Sequence, residues 1–192
     1  MSRLSIAALA AAVALGASVT PAAAQTPPPG PQTFTLSGNM TRGYQNLQRN
    51  LLEAAEKMPD ASYSFKPTLD VRPFGELVAH VALSQFGTCA AIKGDEAPPH
   101  KGEKEDAART KAELVALLKA SAAYCDPVLT SLKEEDMTAL TKAGQNQVAK
   151  GLFLAGTNSH GNEMYGTMSV YLRLKGIVPP TTERQNAAKK SQ

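Results

Sequence analysis

The chain has no tryptophan, only two cysteines, 5% aromatic residues and a formal net charge of just +3 over 192 residues. Few aromatics and no basic stripe leave little for base stacking or phosphate neutralisation, which argues against nucleic-acid binding. Glycine and proline number 14 and 13, too few for a collagen-like chain, and 43% apolar residues are too many for a disordered one. Several catalytic signatures are also missing: a Gly-x-Ser-x-Gly elbow, a phosphate-binding Gly loop, a His-Glu-x-x-His run, a Cys-x-x-Cys pair and an EF-hand loop. No stretch alternates polar and apolar residues for long enough to predict a sheet.

The apolar residues that are present are unevenly spread. Seventeen of the first 24 residues are hydrophobic. Arg3 followed by an Ala/Leu/Val run from Leu4 to Val19, with Ala22-Ala23-Ala24 ahead of Gln25, reads as a secretory signal peptide over residues 1–24. The run is too short and too Ala-rich for a membrane span, so the mature chain is expected to be exported, periplasmic or secreted, with no membrane partner after cleavage. In an oxidising compartment Cys89 and Cys125 can form a structural disulfide; otherwise they are two small core residues. Beyond the signal, residues 25–34 form a Pro-rich linker. Residues 179–192, with Pro179 and Pro180 followed by Arg184, Lys189 and Lys190, are expected to form a disordered basic tail. The net charge belongs to these ends, since residues 25–178 are formally neutral.

Between them, apolar side chains recur at helical spacing. Met40, Tyr44, Leu47, Leu51, Ala55 and Met58 predict a first helix ending before Pro59. Pro73 opens a second, with Phe74, Leu77, Val78 and Val81 on its apolar side, running to about Ile92. Val115, Leu118, Ala122, Cys125, Leu129 and Leu132 mark a third, in which Pro127 predicts a kink or a restart capped by Asp126. The fourth spans about Asn146 to Lys175 and ends at Gly176, a candidate left-handed cap. Four apolar stripes joined by loops predict an all-α four-helix bundle over residues 35–178.

The polar run from Asn158 to Gly166 is unusual for a helix interior, because buried polar groups need partners and each glycine costs about 1 kcal/mol relative to alanine. It is either a satisfied interhelical hydrogen-bond network or the wall of a site. His160 and Met164 are four residues apart and share a helix face, His80 on a neighbouring helix can converge on them, and Glu163 is a candidate oxygen ligand or general base. His100 falls in an exposed loop.

Two segments resemble a known family. Met58-Pro59 through Phe65-Lys66-Pro67, then Val71-Arg72-Pro73-Phe74-Gly75-Glu76-Leu77 leading to Ala79-His80, is similar to the first half of a DinB-like (damage-inducible) superfamily protein. His160-Gly161-Asn162-Glu163-Met164-Tyr165-Gly166, followed by Tyr171 to Pro180, is similar to its last helix. The resemblance implies a four-helix bundle in up-down-down-up order, often homodimeric, with a divalent metal (zinc or nickel) held by three histidines: one from the second helix and a His-x-x-x-His pair from the fourth. Some relatives are thiol-dependent S-transferases or hydrolases in which the metal acts as a Lewis acid. His80 matches the second-helix ligand and His160 the first of the pair, but Met164 stands where the second belongs, and a neutral thioether is a poor ligand for zinc or nickel.

Three readings follow. The favoured one is an exported bundle whose metal site is degenerate and which serves as a binding or structural module. The second is a metal-dependent hydrolase or S-transferase with Glu163 or water completing the shell. The third is a soft-metal protein, because two histidines and a methionine suit copper(I) better than zinc. The substrate or small-molecule ligand is not readable from the sequence. In the implied bundle, Cys89 late in the second helix and Cys125 in the third are brought within reach of a bridge.

Overall fold

The computed structural model describes residues 31–191; the signal peptide read at 1–24 and most of the Pro-rich segment lie outside the described residues. Thr35 opens α1 (Leu36–Lys57) by accepting the Gly38 N–H on its hydroxyl at 3.2 Å, and Pro59 stops the helix after Met58. A short 3-10 turn, Asp60–Ser62, leads to α2 (Phe74–Lys93). The unpaired amides at the start of α2 are met by the 60s segment: Phe74 N–H donates to the Phe65 carbonyl at 3.0 Å and Gly75 N–H to the Tyr63 carbonyl at 2.8 Å. That stitching fixes the register of α2, and therefore the place of His80. Gly94, at φ 68, ends α2 in the left-handed conformation.

A loop carrying Pro98, Pro99 and Glu105 leads to α3 (Lys111–Leu129), which starts with a capping box between Thr110 and Glu113. No restart capped by Asp126 occurs, since α3 runs unbroken through Pro127. Pro127 sits in the last turn, where its missing N–H costs a single terminal bond, and the helix ends two residues later instead of continuing through Leu132.

The all-α expectation is corrected by a small antiparallel hairpin, β1 (Leu140–Ala143) and β2 (Asn146–Ala149), with Ala143 paired to Asn146. Its two-residue turn begins at Gly144, with φ 62, the left-handed position at which tight hairpins favour glycine. The strands have only four residues each, too short for a period-two pattern to stand out, and Asn146, expected to start the fourth helix, belongs to β2. Helix α4 (Lys150–Leu174) ends in a Schellman arrangement. Ile177 N–H bonds the Leu172 carbonyl at 2.9 Å and Gly176 N–H, at φ 71, bonds that of Arg173 at 2.9 Å.

The expected disordered tail is also corrected: Pro180–Lys190 forms helix α5 with Pro180 in its first turn. It lacks an apolar stripe and is tied down by polar contacts instead. Tyr165 Oη lies 2.9 Å from Thr181 Oγ1 and accepts the Thr181 N–H at 3.0 Å; Arg184 bonds Glu53 and Asn50; Lys57 pairs with Glu183 at 2.8 Å.

The main apolar cluster joins α1 to α4 through buried residues including Leu51, Met58, Phe74, Val78, Leu118, Met168 and Leu172. A second cluster holds Tyr44, Leu129, Leu154 and the cysteines, where Cys89 and Cys125 stand at disulfide distance with Cα atoms 5.4 Å apart. Tyr44 donates to Asp126 Oδ1 at 2.8 Å, and burial followed by that carboxylate pushes its hydroxyl pKa well up.

Candidate functional site

Helices α2 and α4 bring two of the expected residues together. His80 Nε2 lies 2.9 Å from His160 Nε2, with ring centroids 4.9 Å apart and planes at 70°. Both rings are partly buried. Burial first, and then the neighbouring His80, lowers the His160 pKa below the ordinary imidazole value, against the opposing pull of Glu163.

A third residue at this centre is Glu105, which no periodicity or spacing marks. It comes from the irregular segment between α2 and α3, in a run where Lys and Glu alternate without an apolar partner. Its Oε1 sits 2.5 Å from His80 Nδ1 and its Oε2 accepts from Arg72 Nε at 3.0 Å. Arg72 is itself anchored, because its carbonyl accepts the Tyr171 hydroxyl at 2.8 Å. Desolvation alone would raise the Glu105 pKa; the His80 hydrogen bond and the charges of His80 and Arg72 outweigh it, and the carboxyl titrates below its usual range. Arg72, Glu105, His80 and His160 thus form one continuous polar chain.

The other expected residues are placed differently. Met164 is 8% exposed and belongs to the main apolar cluster. Glu163 is exposed on α4, and His100 pairs with Glu103 at 2.7 Å in the loop, against the ring of Phe86. Within the polar run, Asn158 donates to the Met40 carbonyl at 2.9 Å, tying α4 to α1, while Asn162 is exposed and bonds back to the Asn158 carbonyl at 2.8 Å. Gly161 packs against Leu47 of α1.

One hollow adjoins His160 and another adjoins Glu105. A cleft of about 150 Å3 between α2 and α4 is lined by Ser84, Gln85, Thr88, Thr157 and His160. A wider groove of about 1120 Å3 is lined by Tyr63, Pro73, Glu105 and Leu114.

Does this donor set suit the divalent metal that the resemblance implies? Two imidazole nitrogens face each other, but the third position carries a buried thioether. Among the described residues no group of three or more His, Cys, Asp or Glu is arranged to hold a metal ion. Glu105 touches the nitrogen of His80 that diverges from His160, so it does not replace the missing ligand. The residues present do not make a complete zinc or nickel site.

No curated protein matches the chain. Among solved structures, a DinB-like protein from Bacillus cereus aligns with TM-score 0.61 at 17% identity, covering 76% of this chain and 96% of that one. A DinB-like protein from Bacillus subtilis aligns with TM-score 0.58 at 23% identity, covering 72% and 92%. A conserved protein from Enterococcus faecalis aligns with TM-score 0.56 at 17% identity, covering 74% and 98%. These likenesses establish a shared fold. The DinB superfamily model matches residues 44–168, a span that includes both histidines and both cysteines. The chain belongs to the DinB superfamily.

Proposed function

We propose that this protein is an exported helical bundle whose ancestral three-histidine metal site has lost its third ligand and which serves as a binding or structural module. In this reading α1 to α4 form a four-helix bundle in up-down-down-up order. Contacts that advance together along α2 and α3 (Gly75 with Leu114, Gln85 with Ser121, Cys89 with Cys125) support a parallel pair. Contacts that run in opposite senses on α2 and α4 (Phe74 with Tyr171, His80 with His160) support an antiparallel one.

The observation that carries the reading is the 2.9 Å approach of the two Nε2 atoms, which satisfy one another, beside a Met164 packed into the apolar cluster. A cysteine pair at disulfide distance supports a site of action in an oxidising compartment. Metal analysis of protein purified without chelator tests it. The parent should carry no stoichiometric zinc or nickel, and Met164→His should acquire it. Stoichiometric metal in the parent that disappears in His160→Ala would overturn the reading.

A second reading has support from the donor set alone. Two imidazoles and a thioether four residues along one helix suit copper(I). Copper(I) retained by the parent and lost from Met164→Leu is the result that would favour it.

A further inference from the structure

The centre contains a carboxylate that neither spacing nor family resemblance assigns. We propose that Glu105 is a positioning residue that sets the proton on each of the two imidazoles, holding His80 as its Nδ1–H form and, through it, His160 as its Nε2–H form.

The polar chain runs inward from Arg72 to His160. Glu105 has two oxygens, and Arg72 fixes one of them at 3.0 Å. The other faces His80 Nδ1 at 2.5 Å. An ionised carboxylate only accepts hydrogen bonds, so the proton between these atoms sits on His80 Nδ1, and in the uncharged ring it is the only one. The remaining ring nitrogen of His80, Nε2, then offers a lone pair. At 2.9 Å it faces His160 Nε2, and two lone pairs at that separation repel, so His160 Nε2 must bring the proton. A neutral imidazole carries one N–H, which leaves Nδ1 of His160 as an acceptor.

Glu105 is well placed for this role. It comes from outside both helices, so it fixes the His80 ring without competing for a helical backbone group. Carboxylates that orient a histidine through its distal nitrogen do the same in hydrolytic triads and in metal centres. The assignment rests on the reading of an incomplete metal site, in which no cation separates the two Nε2 atoms.

Imidazole nitrogen NMR on 15N-labelled protein tests it, at about pH 8, above the ordinary imidazole range, with metal content measured on the same sample. In the parent, His80 should carry its proton on Nδ1 and His160 on Nε2. Glu105→Gln keeps an acceptor oxygen and should keep both assignments. Glu105→Ala should move a substantial fraction of His80 to the Nε2–H form and shift His160 with it, while the helical circular dichroism stays unchanged. A parent with His80 protonated on Nε2, with His160 protonated on Nδ1, or with assignments indifferent to Glu105→Ala would overturn the proposal. If such a result comes with stoichiometric metal, the reading of an incomplete site falls with it; without metal, only the role of Glu105 falls.

Discussion

Replacing Gly161 with alanine probes how closely α1 and α4 approach beside the histidine pair. A Cβ built on Gly161 would lie 2.4 Å from Leu47 Cδ2 and 3.2 Å from its Cγ, whereas ordinary contacts begin near 3.4 Å. Leu47 is 2% exposed and sits inside the main cluster, so it has to rotate within a packed core or the helices have to part by about 1 Å. Overpacking of this kind costs about 1–3 kcal/mol. Alanine also returns about 1 kcal/mol of helix propensity, leaving a net loss of about 0–2 kcal/mol.

Controls lie on the same helix. Gly156 and Gly166 have nothing within 4 Å of a built Cβ, so alanine there should stabilise by up to about 1 kcal/mol, raising Tm by about 2–4 °C for a chain of this size. Thermal and urea melts of Gly161→Ala against Gly156→Ala cancel the propensity gain and read the steric cost, about 1–3 kcal/mol. In a Leu47→Ala background, itself destabilised by about 2–5 kcal/mol, the crowding atoms are gone and Gly161→Ala should behave like the controls, giving a coupling of the same size as the steric cost. If Gly161→Ala matches Gly156→Ala in both backgrounds, the close approach is refuted.

Two further outcomes follow from other parts of the molecule. The cysteines are separated by 36 positions, so replacing both with alanine should cost about 3–4 kcal/mol by loop entropy and raise the urea m-value as the unfolded chain expands; a loss under about 1 kcal/mol in a urea melt would count against a bridge. Because the folded state lowers the His160 pKa, the unfolded chain binds more protons through the window from the ordinary imidazole value, near 6.5, down to the lowered one. This contribution to stability is complete above that window and is lost as pH falls through it. His160→Gln should flatten that part of the stability profile, and an unchanged slope in pH-dependent melts would contradict the assignment.

Much of the helical framework is legible in the sequence because local rules coincide with tertiary packing. The stripe from Tyr44 to Met58, Pro59 as a stop and Gly176 in a left-handed cap follow from spacing and backbone chemistry, and the family resemblance adds the pairing of His80 with His160. The features that escape depend on distant partners. Helix α5 has no apolar face, and what anchors it is Tyr165, Asn50, Glu53 and Lys57, residues far away in the chain. Glu105 escapes for the same reason, since an acidic residue in a charged loop looks like a solvated one until α2 and α3 bring it against His80. Gly161, which reads as a polar-run oddity, is explained only by Leu47 across the helix interface.

Closed as a bridge, the cysteine pair at disulfide distance has a topological consequence for the histidine centre. It closes a covalent ring over residues 89–125 that contains the whole Gly94–Thr110 connection and Glu105 within it. A protease nick anywhere in that connection leaves one molecule, heavier by a single water. The piece bearing His80 and the piece bearing His160 part only after reduction. Redox state, rather than chain continuity, then decides whether the two imidazoles stay in one particle.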